Sequence, residues 1–168
     1  PIIPQRRIYF VPDGPHLLKA LRNQLTSHRR PVYYSTGPKG ERRACALTLD
    51  LLAEAFREVT RGSRVDYKLY RKMRACYFDL DRYSKMNVLA ASRIMSRTML
   101  KIIDEFLKDK PQEIKRRYEG LKCYIEKVDC LWKIINSQEH VAVYKLQDLE
   151  ELLEILEWFL QWGKRNKE

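Results

Sequence analysis

Beyond Pro111 the chain places Ile114, Tyr118, Leu121, Ile125, Val128, Trp132 and Ile135 in alternating steps of four and three. An α-helix gathers such positions on one face, and a seam of that length stays in water unless a second helix covers it, so an antiparallel helical partner is expected. The rest of the chain from Ala44 onward reads the same way. Ala44 to Thr60 reads as a helix with Leu47, Leu51, Leu52, Phe56 and Val59 mostly on one side, closing near Gly62. Ser84 to Leu107 reads as one long helix with Val88, Ala91, Met95, Met99, Ile102 and Phe106 on a stripe that core packing explains. Asp148, with Glu151 three residues later, opens a last helix by a capping-box pattern. Its apolar positions are Leu149, Leu152, Leu153, Leu156 and Leu160, and it ends near Gly163, before a basic tail over 164–168. The fold class is mainly α.

One segment breaks that pattern. Ile8 to Val11 is an apolar strand candidate that runs into Asp13 and at once into a basic amphipathic helix. Pro12 and Pro15 bracket the acid: proline fixes its own φ and keeps the preceding residue out of helix, so the strand ends here, and Pro15 suits the first helical turn. An acid at a strand end is a common way to present a carboxylate to a metal ion or a substrate. The same pattern also describes a carboxylate that caps the helix, and both readings stay open. Within the helix Leu17, Leu18, Leu21 and Leu25 form the apolar stripe, while Lys19, Arg22 and Asn23 fall on other faces, suited to phosphate contact. A lone strand is not stable by itself, so its sheet partners are expected elsewhere in a longer parent protein, as the start on Pro1 without Met also suggests.

With 168 residues, 45% of them hydrophobic, the chain can bury the core of one domain. No apolar run approaches the roughly 20 residues that span a bilayer and no signal-peptide layout opens the chain, so no membrane partner is expected. The 33 basic against 22 acidic residues give a net charge of +11, unevenly placed: nine against two over 1–44, ten against three over 64–101, and one against five over 145–162. Such an excess suits a polyanion, and it makes Lys19, Arg22, Arg29, Arg30, Arg42, Arg43, Arg71, Lys72 and Arg74 the candidate nucleic-acid contacts. A solvated basic face without a ligand is the plain alternative. Between Arg64 and Tyr83, the rings of Tyr67, Tyr70, Tyr77 and Tyr83 alternate with cations; stacking on bases is one use for them and half-burial is another.

Cys45, Cys76, Cys123 and Cys130 contain no CxxC pair and His16, His28 and His140 are scattered, so no zinc site is expected. The thiols are expected to be reduced, as in a cytosolic or nuclear protein. His28 to Arg43, with Pro31, Gly37, Pro38 and Gly40, reads as a basic connector between two units, and its GPKG is not a P-loop.

Three blocks, DGPHLLKALRNQL (Asp13 to Leu25), FDLDRYSKMNVLAAS (Phe78 to Ser92) and YIEKVDCLWKIINS (Tyr124 to Ser137), together resemble the P element-type transposases of the THAP-domain transposase group. The first is similar to an Asp-x-Pro-His-x-x-Lys-x-x-Arg-Asn signature, the second to a Lys-Met-x-Val-x-x-Ala segment, and the third to a helix ending in Leu-Asn-Ser or similar. Their order and spacing span about three quarters of the chain.

The resemblance implies an RNase H-like catalytic domain interrupted, after the strand carrying its second acid, by a helical insertion that binds GTP. Residues 1–30 would be one strand and one helix of the interrupted α/β domain, 31–43 a connector and 44–163 the helical bundle of the insertion domain. Asp13 would be the second catalytic acid and a ligand of a divalent metal, Mg, in the intact protein. The first acid would precede Pro1 and the last would follow Glu168, leaving this fragment inert alone. Trp132 and Asn136 would contact the GTP base, but Lys133 stands where the family carries an acid, and a cation cannot accept from the guanine N1 and N2 donors. For Trp132 the alternative is that it fills the helical seam. The implied function is metal-dependent DNA cleavage and strand transfer in the nucleus, with DNA, GTP, and self-association or host proteins as partners. The alternative is a domesticated host protein that keeps this module for DNA binding or protein assembly without catalysis.

Overall fold

The computed structural model describes residues 13–26, 33–35, 42–44, 47–62, 71–136 and 146–165. The expected strand Ile8 to Val11 lies outside them, as do Arg29, Arg30, Tyr67, Tyr70 and Cys45. Among the described residues the chain forms α1 (Gly14–Gln24), α2 (Leu49–Arg61), α3 (Val88–Ile94), α4 (Arg97–Leu107), α5 (Gln112–Ile135) and α6 (Leu146–Arg165), with two short 3-10 turns, Ala75–Tyr77 and Ser84–Met86. The fold is mainly helical, and no described helix is long and apolar enough to cross a membrane.

The seam beyond Pro111 becomes α5, the spine of the bundle. Tyr118, Leu121, Ile125 and Val128 are buried along it and Ile114, Trp132 and Ile135 half-buried at its ends, while Tyr124 and Leu131 widen the buried face. The short link from Leu107 to Pro111 folds α4 back on α5. Phe106 meets the Tyr118 ring at 5.3 Å, and the Tyr118 phenol donates to the Leu51 carbonyl of α2 at 3.1 Å. Thr48 caps α2 by accepting from the Leu51 N–H, and the Leu49 N–H donates to the Leu25 carbonyl, so α2 starts tied to the end of α1.

Three expectations need correction. The connector holds an antiparallel pair, β1 (Tyr33–Ser35) and β2 (Arg42–Ala44), with Tyr33 opposite Ala44 and Ser35 opposite Arg42, so Ala44 ends a strand and the helix expected to start there begins at Leu49. The long helix over 84–107 is two helices: the chain leaves helical geometry at Met95, and Ser96 is extended, with its hydroxyl donating to the Arg93 carbonyl. The stripe nevertheless keeps its face, because Ala91, Met95, Met99, Ile102 and Phe106 are all buried. The last helix begins at Leu146 and runs to Arg165, so Asp148 lies inside its first turn and Gly163 does not end it. Ile155, with Leu152, Trp158 and Phe159, packs on the core, whereas Leu153, Leu156 and Leu160 are exposed. The bulkier aromatic face wins because it buries more apolar area.

Residues 1–30 and 44–163 are expected to belong to different domains of a longer protein, and within this chain α1 packs directly on the helical body. Leu18, Leu21 and Leu25 of α1 belong to the same core as Leu52, Ile94, Ile102, Leu121 and Ile125.

Candidate functional site

The site is built around α1. At its N-terminus Asp13 is the cap residue: one carboxylate oxygen accepts from the His16 N–H at 3.3 Å and lies within hydrogen-bond distance of the His16 imidazole Nδ1. That side-chain bond is the main reason the Asp13 carboxyl ionises below its ordinary range, with Lys19 adding a smaller pull. The acid remains solvent-exposed. Next to it Gly14 is buried against the C-terminal end of α5, so close that a Cβ there would stand 2.7 Å from Ile135 Cγ2 and 3.6 Å from the Trp132 ring. The absence of a side chain at this position is what lets the acid-bearing end of α1 reach Trp132.

Of the two residues expected to touch a base, Trp132 is therefore half-buried in the α1–α5 joint, and Asn136 is exposed at the end of α5, its N–H donating to the Trp132 carbonyl at 2.8 Å. Lys133 pairs with Asp129 one turn earlier, whose carboxylate is buried. Among the described residues no group of three or more His, Cys, Asp or Glu could hold a metal ion. A divalent ion of the kind implied needs several oxygen ligands, and Asp13 supplies one carboxylate. The described donor set does not complete such a site.

At the other end of α1, Arg22 is fully buried, at 0% exposure. Its guanidinium donates to the carbonyls of Ser84 (2.9 Å), Lys85 (2.8 Å) and Asn87 (3.2 Å), and to the Asn23 side-chain oxygen at 3.0 and 3.2 Å. The Asn23 amide adds a bond to the Lys85 carbonyl at 3.4 Å. Burial pulls the guanidinium pKa down, but its planar fork matches converging carbonyls, and its place in the last turn of α1 sets the charge against the negative end of the helix dipole. Deep below the same turn, the Tyr124 phenol donates to the Leu21 carbonyl at 2.8 Å, and burial pushes its pKa up.

These positions revise the list of expected phosphate contacts. Arg22 is an internal clamp, with its donors committed to backbone carbonyls, and Lys19 is buried, because α1 is enclosed on the faces that carry both. Arg71, Lys72 and Arg74 are exposed, and Arg42 and Arg43 lie on β2. Three residues of consequence carry little or no signal in the sequence. Asn87 caps α3 by accepting from the Ala90 N–H at 2.9 Å, and an Asn just before an apolar run was a usable signal for it. Gly14 and Tyr124 act through tertiary contacts alone.

Compared with known protein families, with curated proteins and with solved structures, the chain matches none.

Proposed function

We propose that the chain is part of a P element-like DNA transposase, in which Asp13 serves a metal-dependent cleavage and strand-transfer centre and the helical body carries DNA. The observation that supports this is the convergence of the three resembling blocks on one helix. The first block supplies α1, the second supplies the carbonyls that Arg22 holds, and the third supplies Tyr124 beneath Leu21 and Trp132 beside Gly14. Segments up to about a hundred residues apart in the chain thus meet around the helix that follows the proposed catalytic acid. In this reading α1 is the joint between a catalytic domain and a helical insertion, and the basic surface acts on nuclear DNA. Nucleotide binding at Trp132 and Asn136 is weak for GTP, because Lys133 is a donor and its carboxylate partner Asp129 is buried.

A second reading has its own observation: as a helix cap, Asp13 has a structural reason to be there without catalysis, as in a domesticated protein that only binds DNA or assembles. Asp13→Asn separates the two, since Asn caps a helix about as well as Asp but does not supply an anionic metal ligand. In the intact protein, with its own DNA ends and Mg, strand transfer should be abolished by Asp13→Asn. Undiminished transfer would reject the catalytic role and leave the second reading standing. Calorimetric titration of the chain with GTP should give little heat, and Lys133→Asp should increase it.

A further inference from the structure

The stretch 79–89 joins two properties that seldom coincide. Its backbone is braced on several sides: Arg22 holds the carbonyls of Ser84, Lys85 and Asn87 from the core, Asp81 accepts from the Ser84 N–H at 2.5 Å, and the Ser84 hydroxyl donates to the Asp79 carbonyl at 2.6 Å. The same stretch leaves three large apolar side chains in water, Tyr83 at 84%, Met86 at 62% and Leu89 at 54% exposure. Scattered exposed apolar residues need no explanation, but three of them within seven positions, on a backbone fixed by a fully buried arginine, mark a candidate surface. The 3-10 turn over Ser84–Met86, closed by the Met86 N–H on the Tyr83 carbonyl, sets Tyr83 and Met86 on one edge.

The charge around this edge indicates what it meets. Residues 71–93 carry six Lys or Arg against two acids, and one of those acids, Asp81, is engaged in capping the turn. Arg82 and Lys85 flank Tyr83 and are exposed, and no acid follows Asp81 until Asp104. A basic rim around an exposed aromatic ring favours a polyanion with open ring faces over an acidic or apolar protein partner. Paired bases hide those faces within the duplex stack, and unpaired bases offer them.

We propose that the Tyr83–Leu89 face binds single-stranded DNA, with Tyr83 stacked on a base, Met86 and Leu89 extending the apolar shelf, and Arg82 and Lys85 on the phosphates. This rests on the DNA-binding part of the function proposed above and specifies the strand state and the residues. The role of Arg22 is then to hold the shelf rigid before the strand arrives, which lowers the ordering needed on binding.

The test is fluorescence anisotropy of the 168-residue chain with a labelled 20-nucleotide oligo-dT and a 20-base-pair duplex, at several salt concentrations. The single strand should bind more tightly than the duplex. Tyr83→Ala should weaken oligo-dT binding by roughly 5- to 150-fold, the range of one lost base stack, with circular dichroism unchanged because the ring is exposed. Tyr83→Phe should restore it. Lys85→Ala should reduce the slope of log K against log salt by about 0.7, one phosphate contact on a single strand. Equal affinity for Tyr83→Ala and the parent chain, failure of Tyr83→Phe to rescue, a preference for duplex, or no oligo-dT binding at low salt would each overturn the assignment. Strand transfer by the intact protein that is lost in Asp13→Asn but intact in Tyr83→Ala would remove this face and leave the transposase reading in place.

Discussion

The two ends of α1 carry opposite charges under opposite conditions. At the N-terminus, Asp13 faces solvent and its hydrogen bonds are local, to His16 three residues on. Near the C-terminus, Arg22 has no exposed surface, and its guanidinium reaches carbonyls 62 to 65 residues away. Both lie within one stretch of ten residues, yet one end is open to solvent while the other organises the protein. A charge can be identified from sequence, but whether it is surface or scaffold depends on what packs over it.

The sharpest way to break this contrast is to remove the buried cation. Arg22→Ala removes the charged donor shared by the carbonyls of Ser84, Lys85 and Asn87, which keep only their bonds from the Asn87 N–H, the Asn23 amide and the Ala91 N–H, and it opens a cavity beneath the 84–87 turn. Each charged hydrogen bond contributes about 1.5–3 kcal/mol and such terms do not add fully, so a loss of roughly 3 kcal/mol or more in urea unfolding is expected. Arg22→Lys should recover only part, since an ammonium lacks the planar fork. Should Arg22→Ala unfold with an unchanged midpoint, the clamp does not hold the fold.

Smaller effects test the neighbouring contacts. Tyr124→Phe removes the donor beneath the Leu21 carbonyl while keeping the ring against Trp158 and Phe159, and it should lower stability by about 1–2 kcal/mol. Gly14→Ala brings a methyl to 2.7 Å from Ile135 Cγ2, so the joint between α1 and α5 must open slightly, at about 1 kcal/mol. Quenching of Trp132 fluorescence by iodide should rise in that variant. If quenching does not change, the two helix ends are not in contact there.

How much of this was legible depended on the range of the signal. The α5 seam could be read because its period is a property of adjacent turns, and the buried face over 88–106 could be read for the same reason. The break at Met95 and Ser96 could not, because both halves keep the stripe in phase and serine fits either a helix interior or a cap. In α6, leucines occupy more than one face, so periodicity alone did not show that Trp158 and Phe159 would turn inward. The hairpin has a signal, a Gly-Pro-rich run between YYS and RRA, but the same composition suits a plain connector. The Arg22 clamp had none: its partners are backbone carbonyls, which every residue possesses.

The exposed end of α1 should show the smallest effect, through pH. The Asp13 carboxyl ionises below its ordinary range in the folded chain, chiefly because of its bond with the His16 side chain, so the charged form favours the folded state. For an acid whose folded pKa is depressed, the contribution is complete above the unfolded value of 3.8 and fades as the pH falls through the lower folded value. Asp13→Asn removes this titration but keeps a cap, so the stability difference between it and the parent chain should shrink as the pH falls from 5 towards 3. A difference that grew on acidification would mean that the carboxyl is held above its ordinary range. The solvent-facing, hydrogen-bonded acid at this end of α1 would then have to be replaced by a buried one.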